Sequence, residues 1–132
     1  MCSVQEDCIF CNRTNCKVIS LTKHFFLIRD TAYPVTKHHT LIITNRHVED
    51  FFDLNKSEMT ELSEILKKQK KELKALDKEI SAFNVGINIG KDAGQSIMHC
   101  HVHLIPRRKG DVEDPRGGVR GVIPEKQKYK RK

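Results

Sequence analysis

A chain of 132 residues, 38% hydrophobic and 31% charged, is long enough to bury one core. No apolar run approaches the ~20 residues of a bilayer span, which argues against a membrane protein. The net charge of +7 sits in the tail: from Arg107 onward there are 10 Lys and Arg against 4 Asp and Glu, so that segment carries +6, which suggests a phosphate-rich partner.

The start, Met1 to Asp7, has acidic residues where a secretory leader would be basic and then apolar, so a cytoplasmic location is expected. Five cysteines form no disulfide framework and fit reduced thiols or a metal site. Cys8-Ile-Phe-Cys11 opens the fold, followed by a polar turn over 12–15. A short strand is expected over Lys17–Ser20 and a stronger one over His24–Arg29, stopped by Asp30 and Tyr33-Pro34. Thr40–Thr44 is a β-branched run with the profile of a buried strand. A helix begins after Asn55, which pairs with Glu58 in a capping box. Its apolar stripe runs through Met59, Leu62, Leu66, Leu73, Leu76 and Ile80, with Gln69 at one polar place and lysines outside. Ala82–Ile89 alternates as a strand, with Phe83, Val85, Ile87 and Ile89 on one face and Asn84, Gly86 and Asn88 on the other. A turn at Lys91–Gln95 joins it to a second strand, Ile97–Ile105, in an antiparallel hairpin. Beyond Pro106, Gly, Pro and charge predict irregular structure, with Lys126–Lys132 disordered. These elements make one α+β domain: an antiparallel sheet, one long amphipathic helix and an extended C-terminal tail. Residues 1–110 are taken as the domain, and 111–132 as a basic extension of it.

Within the last strand, His99, His101 and His103 recur at spacing two. On an extended strand they share one face, while Met98, Cys100, Val102 and Leu104 face a core. A row of imidazoles at a sheet rim fits a metal site or a nucleophile with supporting donors. Gly94-Gln95-Ser96 just upstream supplies backbone N–H groups and a hydroxyl able to cradle an anion, and Asn88 can reach the same phosphate. That context favours the nucleophile.

Gly94-Gln-Ser-x-x-His99-x-His101-x-His103 resembles the signature of the histidine triad (HIT) superfamily. The order of Asp30, Thr40–Thr44, Asn45-Arg-His47-Val and Asn88 extends the resemblance over most of the chain. It implies a HIT-like antiparallel meander, a homodimer, and hydrolysis or transfer of nucleoside monophosphates. By position, His101 matches the nucleophile that attacks the α-phosphorus to form a nucleotidyl-histidine. His103 and Ser96 match residues holding the phosphate oxygens, Asn88 assists, and Gln95 lies near the leaving group. Asp30 matches the acid that binds the ribose hydroxyls, and Phe10 and Ile28 line the base pocket. The role of His39, close to the active strand, is left open.

Cys8 and Cys11 alone supply two of the four ligands of a zinc site, and two buried thiols would explain them as well. The resemblance implies that His47 and His99 complete a closed Cys2His2 site with a structural Zn2+, with Cys16, His38 and His39 as competing ligands. No organic cofactor is expected. The tail resembles the dinucleoside-polyphosphate (fragile histidine triad-like) branch, where Arg107, Arg108, Arg116 and Arg120 meet further phosphates or pack across the dimer. The expected function is therefore hydrolysis of dinucleoside polyphosphates at the α-phosphate. Alternatives are a nucleoside phosphoramidate hydrolase or a nucleotide-binding regulatory protein. A nucleic-acid binder ranks low, because the chain lacks aromatic interleaving and a reading helix, and no membrane partner is expected.

Overall fold

The computed structural model describes residues 8–13 and 16–129; Cys2, the end of the 12–15 turn and the lysines from Lys130 onward lie outside the described residues. Five strands form one antiparallel sheet: β1 (Val18–Leu21), β2 (Phe25–Arg29), β3 (Thr40–Thr44), β4 (Ile80–Gly86) and β5 (His101–Arg108), in the order β1-β2-β3-β5-β4. The helix α1 (Lys56–Leu76) joins β3 to β4, so the α+β architecture read from the sequence holds.

Pairing register gives the sheet two different faces. Phe25, Leu27, Ile42, Val102 and Leu104 share one core cluster with Leu62, Ile65 and Leu73 of α1. On the opposite face, Ile43 pairs with His101 and Leu41 with His103. Because directly opposed residues point the same way, these two histidines extend the second apolar cluster, Phe10, Phe26, Leu41 and Ile43.

Asn55 caps α1 as expected: its side chain accepts from the Glu58 N–H, while the Glu58 carboxylate accepts from the Asn55 N–H. The buried line of the helix is Glu58, Leu62, Ile65, Gln69 and Leu73. This line is rotated from the predicted stripe; Met59 and Leu76 are 41% and 62% exposed, and Ile80 belongs to β4 rather than α1. Polar groups lie along the buried line. Glu58 is bound by the Arg46 guanidinium, and Gln69 accepts from Arg29 Nη1 while donating to Glu72. Both are therefore satisfied at depth, as buried polar groups must be.

Three further boundaries depart from the sequence reading. The first hairpin strand is Ile80–Gly86 rather than Ala82–Ile89, and at this sheet edge Val85 is 46% exposed. The second starts at His101, not Ile97, and continues through Pro106 to Arg108. Before it the backbone bends: His99 N–H donates to Ile97 O, and Cys100 N–H donates to Val48 O. Met98 consequently turns outward at 39% exposure, whereas Cys100 is core. Finally, the tail has short 3-10 turns at Gly118–Val122 and Pro124–Lys126. Lys126 and Gln127 carbonyls accept from Arg120 Nε, and the Arg120 guanidinium lies over Tyr129, so the segment expected to be disordered is partnered as far as the description extends.

Candidate active site and metal site

The bend before β5 separates the three histidines. His99 Nε2 lies 2.7 Å from the Thr44 carbonyl. A carbonyl only accepts, so Nε2 carries the proton and Nδ1 presents a lone pair. That lone pair faces Cys8 Sγ at 3.3 Å and Cys11 Sγ at 3.5 Å. His101 has the opposite tautomer: its Nδ1 lies 2.7 Å from the His99 carbonyl and must donate, which leaves the Nε2 lone pair for chemistry. His103 is set by a relay. Val35 N–H donates to His39 Nδ1 at 3.0 Å; neutral His39 therefore carries its proton on Nε2, 2.9 Å from His103 Nδ1. His103 Nδ1 accepts, and its Nε2–H is a donor. Side by side on β5 stand a base-form nitrogen and an N–H donor, with rings 5.2 Å apart.

Electrostatics keep these rings neutral. Burial depresses the basicity of His101 and His39. Burial, reinforced by the neighbouring His101 and His39, pushes His103 down to about 4. Burial likewise takes His99 to about 4. A histidine whose folded pKa lies below its unfolded value takes up a proton on unfolding. Its stabilising contribution is complete above the ordinary value of 6.5 and is lost as pH falls through about 4. Each unit corresponds to about 1.4 kcal/mol; with partial solvent screening His103 contributes on the order of 2 kcal/mol. Urea unfolding at pH 7 and pH 4.5 should show wild type losing about that much more stability than His103→Gln; equal losses would show that His103 is not held neutral by the fold.

Around this pair the other expected residues take distinct places. Phe10 is buried, with its ring 5.2 Å from His101, and Ile28 packs on the same cluster. Asp30 accepts from the Tyr33 N–H and lies 3.9 Å from His39 Nδ1. Asn88 is two residues past Gly86, the partner of His103, and lines a groove of about 870 Å³ between β4 and the tail. Ser96 is exposed and lines a separate cavity of about 420 Å³. The Gln95 amide bridges its own loop and the segment after β3: Oε1 accepts from Gly90 N–H, while Nε2 donates to the Glu49 and Ile97 carbonyls. Among the tail arginines, Arg107 chelates Asp111 and donates to Asn84. Arg108 binds Asp77; Arg116 is largely exposed, 3.9 Å from Asp114.

Cys8, Cys11, His47 and His99 converge, with their ligand atoms all within 4.8 Å of one another. Cys11 Sγ is 3.1 Å from His47 Nδ1. Tetrahedral zinc with sulfur at ~2.3 Å and nitrogen at ~2.0 Å spaces its ligand atoms about 3.3–3.8 Å apart. The 3.3 and 3.5 Å separations and the lone pair on His99 Nδ1 fit that requirement, with the Cys11–His47 pair slightly tighter; the Thr44 carbonyl is the outer partner that orients such a ligand. The competing ligands fall elsewhere: Cys16 Sγ donates to the Ile9 carbonyl, His39 holds His103, and His38 is outside the cluster.

Sequence reasoning left His39 without a role and did not foresee the Thr44, His99 and Val35 backbone groups. A carbonyl or amide can be supplied by any residue, so composition carries no trace of it. His39 had one signal, its place directly before β3.

Residues 12–110 match the HIT domain family, and the chain belongs to that family. It is 34% identical over 110 residues to an uncharacterized HIT-like protein from Methanocaldococcus jannaschii, covering 80% of this chain and 83% of that one. It is 40% identical over 81 residues to the asymmetrical bis(5'-nucleosyl)-tetraphosphatase of Schizosaccharomyces pombe; this covers 61% of the chain and 44% of the relative, so the match spans less than half of that enzyme. In structure it resembles a Zn-bound histidine triad family protein from Mycobacterium smegmatis, with a TM-score of 0.71, 28% identity, and 80% and 78% of the two chains covered.

Proposed function

We propose that this protein hydrolyses nucleotides at the α-phosphate, with dinucleoside polyphosphates as the substrate class. The observation that carries the reading is the opposed tautomer pair: His101 with a free Nε2 lone pair beside His103 with a free Nε2–H. His101 Nε2 attacks phosphorus while the P–O bond to the leaving phosphate breaks, giving a nucleotidyl-histidine. Water then attacks the same phosphorus, releases the nucleoside monophosphate and returns the electron pair to Nε2. The His99 carbonyl supports this step, because His101 Nδ1–H donates to it while the ring becomes positive. His103 Nε2–H, the Ser96 hydroxyl and Asn88 bind the phosphate oxygens. Gln95 holds the loop that presents Ser96. Phe10 and Ile28 receive the base, and Asp30 the ribose. The tetraphosphatase name of the fission-yeast relative supports the substrate class.

In this reading Cys8, Cys11, His47 and His99 hold a structural Zn2+, which ties the N-terminal turn to the catalytic strand and leaves no ligand position for substrate. Residues 1–110 act as the domain and 111–132 as its extension, in the cytoplasm. No helix among the described residues is long and apolar enough to cross a membrane. A homodimer is part of the proposal, supported by the place of β4 at the edge of the sheet and by the exposed Val85, Val119 and Val122; light scattering should return the mass of two chains, and a single-chain mass would remove it.

Steady-state turnover on a panel of dinucleoside polyphosphates and nucleoside phosphoramidates tests the substrate class. Higher kcat/KM on the polyphosphates supports it. A preference for phosphoramidates moves the protein to hydrolysis of P–N bonds, and binding without turnover makes it a nucleotide-binding regulator.

A further inference from the structure

From the geometry we infer that Cys8 and Cys11 form an oxidation site through which hydroperoxides shut the active site off. The inference rests on the metal and nucleophile readings above and adds to them a chemistry that neither uses. The two cysteines begin and end a single turn, in which Cys11 N–H donates to the Cys8 carbonyl at 3.1 Å. Such a turn holds its end Cα atoms within about 7 Å, the range that a disulfide bridges. The Sγ atoms already share a cluster whose ligand atoms lie within 4.8 Å of each other. Neither thiol is sealed: both are partly exposed, and Cys8 lines the cavity of about 420 Å³ together with Ile9, His47, Glu49 and Ser96. A small peroxide thus has a path to Cys8 Sγ.

The step balances as a two-electron oxidation. The Cys8 thiolate attacks one oxygen of the hydroperoxide, the O–O bond breaks, and Cys8 becomes a sulfenic acid as hydroxide (or the corresponding alkoxide) leaves. The Cys11 thiolate then attacks the Cys8 sulfur, forming the S–S bond and expelling a second hydroxide. Two protons from solvent convert the leaving groups to water, or to water and alcohol. Two thiolates are oxidised, one peroxide is reduced, and a divalent ion loses both of its anionic ligands.

The consequence reaches the nucleophile through one residue. His99 offers Nδ1 to the thiol cluster and its carbonyl to His101 Nδ1–H. Once the cysteines pair with each other, the His99 ring keeps the Thr44 carbonyl and the edge contacts of Phe10 and His47 but loses its tie through Nδ1 to the thiol cluster, and the residue whose carbonyl fixes the His101 tautomer is free to shift with it. A displacement of about 1 Å at a reacting group costs on the order of a hundredfold in rate.

The test uses full-length, zinc-loaded protein whose metal content and turnover are measured first, with Cys16→Ser treated in parallel. Addition of hydrogen peroxide should release about one zinc per chain to a chromogenic chelator, with a disulfide mapped between Cys8 and Cys11 by peptide mass and turnover down about a hundredfold. Dithiothreitol plus zinc should restore all three readouts, and Cys16→Ser should respond like wild type. Retained zinc, or a disulfide involving Cys16 instead, would overturn the site. Release of zinc with the Cys8–Cys11 disulfide but undiminished turnover would overturn the coupling to His101. A chain that takes up no zinc before peroxide is added overturns the metal reading and this inference together, whereas failure at any later stage overturns this inference alone.

Discussion

His101→Ala should abolish nucleotide hydrolysis while leaving the fold and the metal content intact. The expected loss is about 10⁴-fold or more in kcat, the scale seen when a covalent nucleophile is removed and only binding and charge stabilisation remain. The protein should stay folded because His101 is at the rim of the second cluster. The first cluster, from Phe25 to Leu104, does not include it, and the candidate metal set is Cys8, Cys11, His47 and His99. Burst kinetics with limiting enzyme, together with zinc analysis, check both halves. A variant that retains wild-type turnover removes His101 as nucleophile. His103→Gln should behave differently: the glutamine keeps a polar group on β5, but the donor set by the His39 relay is lost, and the rate falls by roughly 10²-fold as for removal of one charge-stabilising donor.

Stripping the metal, or replacing both Cys8 and Cys11 with serine, should destabilise the protein by about 4 kcal/mol, the linkage expected of a ligand present at a thousand times its dissociation constant. For a domain of this size that lowers the melting temperature by roughly 10–20 °C. The cost is large because the cluster fastens the turn at Cys8–Cys11, which belongs to no strand, to the loop after β3 carrying His47 and the bend carrying His99. Cys16→Ser is the control. Its thiol contacts the Ile9 carbonyl rather than the cluster, so the melting temperature should move little. Calorimetry of wild type, the double variant and Cys16→Ser in the presence and absence of chelator decides the matter; an unchanged double variant would leave the cluster as two ordinary half-buried thiols.

Much of this architecture was legible from residue pattern. β3 ran over the predicted Thr40–Thr44 because a β-branched run buried on both sides has one comfortable conformation. The capping box at Asn55 and Glu58 formed as spacing predicted. The errors arise where polar partners override periodicity. Glu58 reads as a capping-box partner alone, yet Arg46 binds it at depth, and the buried line takes Glu58 and Ile65 in place of Met59; Gln69 sits in the stripe as read, bonded there by Arg29. The same holds for the site. Spacing two put three histidines on one face, but the bend at Ile97–Cys100 turned His99 toward the cysteines and left only His101 and His103 together. Neither that bend nor the carbonyls that assign the tautomers has a side-chain signature. The contacts of Gln95 were not legible either: the motif places it near the leaving group, and pattern gives no sign of the Gly90, Glu49 and Ile97 backbone groups that its amide bonds.

The central claim is that one nitrogen, His101 Nε2, becomes covalently bonded to phosphorus. Rapid mixing of the protein with a dinucleoside polyphosphate, alkaline denaturation within milliseconds to preserve the P–N bond, and peptide mass analysis test it directly. The account predicts a nucleoside monophosphoryl group on the peptide spanning the β5 histidines, assigned by fragmentation to His101 and absent from His101→Ala. Turnover with no adduct and with inversion of configuration at a chiral α-phosphorus would mean that water attacks in a single step, and would contradict it.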